Sequence, residues 1–250
     1  IEQIPHSIYA EPFLGMGGVF FRRTQKPKCA AINDINSEII NMFRMVEKFP
    51  DYLADMLKFK ICSRAEFKRM LATPPLLLTE LERAVRYLYI QKNAFGGKTF
   101  SQVFGVALER TRFDSERIIP QIHMLHKRLA GVYIECLPYQ DFITRYDRPD
   151  TLFYLDPPYW NCENDYGKGI FSKADFDELA RLLKGIKGRF ILSINDVPEI
   201  RQIFKAFYIK EVQTTYTVGT HPGKKANELL IGNINSVSYT HLRAHETGAY

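Results

Sequence analysis

The stretch Asp156-Pro157-Pro158-Tyr159 constrains this chain more than any other. It follows Leu152-Phe153-Tyr154-Leu155, an apolar, aromatic-rich run that reads as a short buried strand. Two consecutive prolines deny the chain a helix and push the residue before them toward extended backbone. Asp156 is therefore expected to stand rigidly at the carboxyl end of a strand. In α/β folds that edge of the sheet carries the chemistry. The Asp156 carboxylate and the Pro157 carbonyl can face a ligand amine together there, and Tyr159 supplies a flat face beside them. Two acceptors and a ring describe a pocket for the exocyclic amine of an aromatic base. A proline-rich turn with a core tyrosine would use the same four residues.

A second signal lies upstream. Tyr9-Ala10-Glu11-Pro12-Phe13-Leu14-Gly15-Met16-Gly17-Gly18-Val19-Phe20-Phe21 reads as a strand end, a glycine-rich turn and a helix start. Gly15, Gly17 and Gly18 permit a tight turn and close approach of backbone to a ligand. The next apolar strand, Cys29-Ala30-Ala31-Ile32, runs into Asn33-Asp34-Ile35-Asn36 and so ends in an acidic residue, at roughly the spacing used to bind a ribose diol. Asp34 can accept from both hydroxyls. Asp34 or Asn36 can equally cap the helix that begins at Ser37.

The middle of the chain is less explicit. Residues 50–74 read as polar helices bounded by prolines, and 78–90 as a further helix. In Gln91-Lys92-Asn93-Ala94-Phe95-Gly96-Gly97-Lys98, the lysines suit phosphates and the amides Gln91 and Asn93 suit base edges. A helix end followed by a solvated loop fits the same residues. Residues 115–130 have helical spacing, so Arg117, Lys127 and Arg128 are read as a solvated face; Arg110 and Arg112 precede it. His123 and His126 lack a companion at metal spacing. The chain 160–169 is polar and aperiodic, as a loop closing over a nucleotide, or any exposed loop, would be.

Composition narrows the field. With 250 residues, 46% of them hydrophobic, a sizeable core is affordable, and a formal charge of +6 favours a polyanionic partner. Cys29, Cys62, Cys136 and Cys162 show neither zinc nor disulfide spacing and are read as reduced thiols of a cytoplasmic protein. No apolar run has the length of a membrane span.

In this order, Glu11-Pro12-Phe13-Leu14-Gly15-Met16-Gly17, Asn33-Asp34-Ile35-Asn36, Gln140-Asp141-Phe142, Asp156-Pro157-Pro158-Tyr159 and Leu192-Ser193-Ile194-Asn195-Asp196 resemble the Dam-like family of DNA adenine-N6 methyltransferases. The resemblance implies an α/β fold: a Rossmann-like S-adenosylmethionine-dependent methyltransferase sheet with an inserted helical DNA-recognition region. It implies S-adenosylmethionine as methyl donor, double-stranded DNA as partner, and a target adenine swung out of the duplex. Asp156, Pro157, Pro158 and Tyr159 would then be catalytic. Glu11, Pro12, Phe13, Gly15, Gly17, Asp34, Asp141 and Phe142 would bind the cofactor, with Asp141 accepting from its adenine amine; capping a turn is the other role open to Asp141. Gln91, Lys92, Asn93 and Lys98 would contact DNA.

The corresponding division is 1–49 for the cofactor-binding part, 50–130 for target recognition, 131–236 for the catalytic part, and 237–250 for a non-native tail. The tail reads as a translated sequencing-library adapter, which disqualifies His241 and His245 as metal ligands. Members of the family carry an earlier glycine- and lysine-containing segment that closes over the methionine part of the cofactor, and this sequence starts after it. Adding that segment is expected to tighten cofactor binding. Phe95-Gly96-Gly97-Lys98 departs from the pattern of methylases that read GATC, so the target sequence is left open. The protein is expected to be a prokaryotic or phage-encoded monomer, with no metal and no membrane attachment. Methylation of cytosine N4 is the nearest competing chemistry, and an inactive DNA-binding homologue the nearest non-enzymatic reading. Methylation of RNA or of a protein glutamine fits less well, because such relatives replace the leading aspartate by asparagine.

Overall fold

The computed structural model of the chain describes residue 1 and residues 3–94, 102–106, 111–163, 169–216 and 224–234. The described chain divides into two compact units, Ile1–Ile35 with the chain from Glu135 onward, and Asn36–Ile134.

The strands are β1 (Ile8–Glu11), β2 (Cys29–Asn33), β3 (Val132–Glu135), β4 (Thr151–Leu155), β5 (Arg189–Asn195), β6 (Tyr208–Tyr216) and β7 (Lys224–Gly232). Among the described residues they form one seven-stranded sheet in the order β3-β2-β1-β4-β5-β7-β6. β1 runs parallel to β2 and to β4, and β4 runs parallel to β5. β7 is antiparallel to β5 and pairs with β6 along nine residues. Strands buried on both faces read as continuous apolar runs. That is why Leu152, Phe153 and Leu155 are all fully buried in β4.

The chain order reverses between β1 and β4, so the carboxyl ends of these two neighbours flank the switch point where open α/β sheets bind ligands. Both conspicuous sequence signals start there. The short helix α1 (Gly18–Arg22) leads from the glycine turn, and α7 (Tyr139–Tyr146), α8 (Lys173–Gly185) and α9 (Pro198–Ile203) belong to the same unit. Phe142, Ile143, Phe176, Leu179 and Ile200 bury their side chains in a core shared with Phe153, Phe190 and Leu192 of the sheet. The start of α8 is fixed by a reciprocal pair, in which Ser172 accepts from the backbone three residues on and Asp175 accepts from the Ser172 amide at 2.8 Å.

The helical unit holds α2 (Ser37–Lys48), α3 (Pro50–Lys58), α4 (Arg64–Ala72), α5 (Glu80–Asn93) and α6 (Ser115–Leu129). Although 37–48 was grouped by sequence with the cofactor-binding stretch, Ile39, Ile40, Met42, Phe43 and Val46 bury an apolar stripe, and α2 packs against α5 and α6. An amphipathic helix follows the surface that takes its stripe. Asn36, not Asp34, caps α2, accepting from the Glu38 amide at 3.0 Å.

Candidate functional site

Glu11 ends β1, and Asp156 follows the last residue of the adjacent strand β4. Glu11 is buried, and its Oε1 accepts from the Tyr9 hydroxyl at 2.5 Å. Burial raises its carboxyl to about 8; the Asp156 charge adds to the rise, while the Tyr9 hydrogen bond and the Arg23 guanidinium oppose it. Arg23 lies over the Tyr9 ring at 3.5 Å from its centroid. The Asp156 carboxyl is raised to about 7, first by burial and then by the negative charge of Glu228. Tyr154 is held far above the usual phenol range by burial and by the charges of Asp156 and Glu11. Three acidic side chains from β1, β7 and the loop after β4 thus gather at this edge of the sheet; burial holds protons on Glu11 and, in part, on Asp156 near neutrality, and a cation or an amine becoming one beside them would favour their ionised forms.

Pro157 and Pro158 are buried and Tyr159 is half-buried. The Tyr159 hydroxyl donates to Glu228 Oε1 at 2.9 Å. The next residue is held at its backbone: Trp160 N–H donates to Asn195 Oδ1 at 2.9 Å, and Asn195 Nδ2 donates to the Trp160 carbonyl at 3.2 Å. The rigidity expected of the tetrapeptide therefore has two sources, proline geometry before Tyr159 and side chains of β5 and β7 after it.

On the other side of the switch point, Gly15 and Gly17 adopt left-handed backbone, with φ of 51° and 72°. The Gly15 amide donates to Asp34 Oδ2 at 2.8 Å, so the acidic residue at the end of β2 ties down the turn after β1. A side-chain carbon on Gly15 or Gly18 would meet no atom within 4 Å, leaving open space over the turn. Asn33 is buried and clamps two neighbouring loops. Its Nδ2 donates to the carbonyls of Pro12 at 2.9 Å and Leu137 at 3.0 Å, and its Oδ1 accepts from the Leu137 amide at 2.8 Å. Phe13 lies against Tyr139 and Phe171, with ring centroids 5.4 Å and 6.0 Å away.

Two of the expected cofactor residues sit differently from one another. Asp141 is exposed in the first turn of α7, where its charge suits the helix dipole. Phe142 is fully buried, 4.8 Å from the Tyr146 ring, and supports α7 from within the core. The residues expected to read DNA need correction. Asn93 is fully buried: its Nδ2 donates to the Tyr89 carbonyl at 2.9 Å and its Oδ1 accepts from the Cys62 thiol. Gln91 is also buried, and its Oε1 accepts from Gln102 at 3.3 Å. Both amides serve the helical unit, because α5 turns them toward its buried side. Lys92 is half-buried, donates to Gln121 Oε1 at 3.4 Å, and is lowered by burial to about 8. Lys98, Arg110 and the tail 237–250 lie outside the described residues.

Glu228, Tyr9, Tyr154 and the roles of Asn33 and Asn195 were missed from sequence. A glutamate opening the apolar run Leu229-Leu230-Ile231 on a strand was the available signal for the first. Among the described residues, no group of three or more His, Cys, Asp or Glu is arranged to hold a metal ion, and no helix is long and apolar enough to cross a membrane.

The model of the D12 class N6 adenine-specific DNA methyltransferases matches residues 1–218. The chain is 26% identical over 252 residues to the Type II methyltransferase M1.LlaDCHI of Lactococcus lactis subsp. cremoris, covering 90% of this chain and 86% of that protein. It is 22% identical over 228 residues to the Type II methyltransferase M.CviBI of Paramecium bursaria Chlorella virus NC1A, covering 89% and 86%. It is 24% identical over 258 residues to the Type II methyltransferase M.MjaIII of Methanocaldococcus jannaschii, covering 90% and 88%. The match runs through the glycine turn, the helical unit and the strand-end tetrapeptide alike, and the chain belongs to the D12 class N6 adenine-specific DNA methyltransferases.

Proposed function

We propose that this chain uses S-adenosylmethionine to methylate N6 of an adenine extruded from double-stranded DNA, with Asp156, Pro157 and Tyr159 holding the base. One observation carries the assignment. The strand-end carboxylate and the glycine turn with its acidic partner project from adjacent parallel strands at the switch point of the sheet, so two ligands held by them would meet.

The residues present fit the cofactor. Open space lies over the Gly15 turn, Asp34 stands beside it, and the acidic edge suits a sulfonium cation. Gly15, Gly17, Asp34 and Phe13 would hold it, with Asp141 at the rim and Glu11, Pro12 and Phe142 supporting from beneath. When bound, S-adenosylmethionine supplies an electrophilic methyl group.

The remaining chemistry belongs to the chain. Adenine N6 is a weak nucleophile because its lone pair is delocalised into the ring. Hydrogen bonds from its two N–H groups to the Asp156 carboxylate and the Pro157 carbonyl favour the pyramidal amine that attacks. Asp156 orients the amine first. The amine proton becomes acidic only as the new N–C bond forms, and a carboxyl raised to about 7 is a better final acceptor for it than an ordinary aspartate. Positioning supplies much of the acceleration. Inside a duplex that geometry is unreachable, hence extrusion of the base with Tyr159 stacked on it. Contacts to phosphates would come from Lys92 and Lys98, in a protein acting alone in the cytoplasm. Labelled S-adenosylmethionine incubated with unmethylated DNA, followed by nucleoside analysis, tests the assignment: N6-methyladenine is expected.

A further inference from the structure

Asn195 of β5 and Glu228 of β7 are directly paired across the antiparallel ladder, so their side chains stand on the same face of the sheet. Each reaches a different part of the chain just after Pro158. Glu228 takes the Tyr159 hydroxyl at 2.9 Å, and Asn195 closes two hydrogen bonds on the Trp160 backbone. The Trp160 ring is pinned in turn, 5.2 Å from the Phe176 ring with Lys173 Nζ 4.6 Å from its centroid. Glu228 is only 5% exposed, and a carboxylate buried on a strand costs solvation that a leucine would not. The position therefore calls for a reason beyond packing.

We propose that Glu228 is a positioning residue for methyl transfer: with its cross-strand partner Asn195 it holds Tyr159 ready to stack on the extruded base. This rests on the reading of Tyr159 as the stacking ring. A ring tethered only at Cβ must lose rotational freedom when a base arrives. One tethered at both ends has already lost it. The same neighbours bear on the charge of Asp156. It interacts with Glu11 from β1, Tyr154 on β4 and Glu228 from β7. Glu11 and Glu228 are the acids in this set, and the Glu228 charge adds to burial in raising the Asp156 carboxyl. Removing that charge should let Asp156 stay ionised at lower pH.

The test compares four variants of the full chain by methylation kinetics, by pH profile, and by binding to duplexes carrying a mismatched target adenine. Glu228→Gln keeps shape and an acceptor for the Tyr159 hydroxyl, so its acid limb should move to lower pH. Tyr159→Phe keeps the Glu228 charge, so its acid limb should stay put while its affinity for the mismatched target falls about three- to tenfold, the worth of one hydrogen bond. Asn195→Ala should lower kcat more than it raises KM for the cofactor. Tyr159→Ala separates the proposal from its foundation: it should weaken mismatched-target binding roughly 5- to 150-fold. If Tyr159→Ala binds like wild type, the stacking assignment fails. If it weakens binding as expected while Glu228→Gln leaves the acid limb unmoved and Tyr159→Phe binds normally, Glu228 has no positioning role. Melting temperatures of the variants confirm that each is folded.

Discussion

The Gly15 amide donates to the Asp34 carboxylate at 2.8 Å, joining the turn after β1 to the end of β2. Asp34 Oδ2 is thereby committed to the turn over which open space lies. Asp34→Ala should weaken S-adenosylmethionine binding by about 1.5–3 kcal/mol for a lost hydrogen bond to a charged group. Asp34→Asn, which keeps an acceptor for Gly15, should cost less. Calorimetry distinguishes them; equal affinity in Asp34→Ala and wild type would reduce Asp34 to a turn anchor.

The two positive-φ glycines of this turn should respond differently to substitution. A side-chain carbon at Gly17 would clash with the Phe21 ring, in backbone at φ 72°, whereas at Gly15 it would enter open space. Gly17→Ala should therefore destabilise the fold, by about 1–3 kcal/mol. Gly15→Val should chiefly impair cofactor binding, beyond the modest cost of its own strained backbone. Paired melting and calorimetric titrations test the contrast.

Buried carboxyls make stability fall toward alkaline pH. The Glu11 carboxyl lies at about 8 in the fold against 4.5 in the open chain, and Asp156 at about 7 against 3.8. Between these values the folded state binds more protons than the unfolded one. The stability each group contributes is complete below its unfolded value and is lost as pH rises through the folded value, at up to about 1.4 kcal/mol per pH unit per group. Glu11→Gln should flatten the curve of stability against pH between about 4.5 and 8. Urea denaturation across that range would show it, and an unchanged slope would contradict the burial argument.

For DNA, replacing both Lys92 and Lys98 by alanine should weaken binding to all sequences and reduce the slope of log affinity against log salt by about 0.9 per lost phosphate contact. Asn93→Ala should instead lower stability, since its amide is committed to Tyr89 and Cys62 within the fold. A salt series with both variants decides between these roles. Loss of base preference in a stably folded Asn93→Ala protein would restore it as a reader of sequence.

What was legible in the sequence was what local chemistry dictates. Two prolines after an apolar run placed Asp156 at a strand end, and glycines announced the turn that Gly15 and Gly17 make. The family's motif order supplied the rest of the catalytic reading. What stayed hidden depends on pairing between distant strands. Glu228 meets Tyr159 69 residues away only because β7 inserts beside β5 in antiparallel register, and Asn33 reaches Leu137 104 residues away. The amides of Gln91 and Asn93 were misread for a related reason: their types suit base edges, but which side of α5 faces inward is set by the helices around it.

Asp156 is the proposed acceptor for the target amine. The rate of transfer of labelled methyl to unmethylated DNA by wild type and Asp156→Ala tests this, with nucleoside analysis of the product and cofactor affinity measured in parallel. With Asp156 raised to about 7, the wild-type rate should fall as pH drops below neutrality, and its product should be N6-methyladenine. Asp156→Ala should lose transfer while binding S-adenosylmethionine nearly as before. Wild-type turnover in that variant, or label recovered on cytosine, would mean that Asp156 does not hold an adenine amine for transfer.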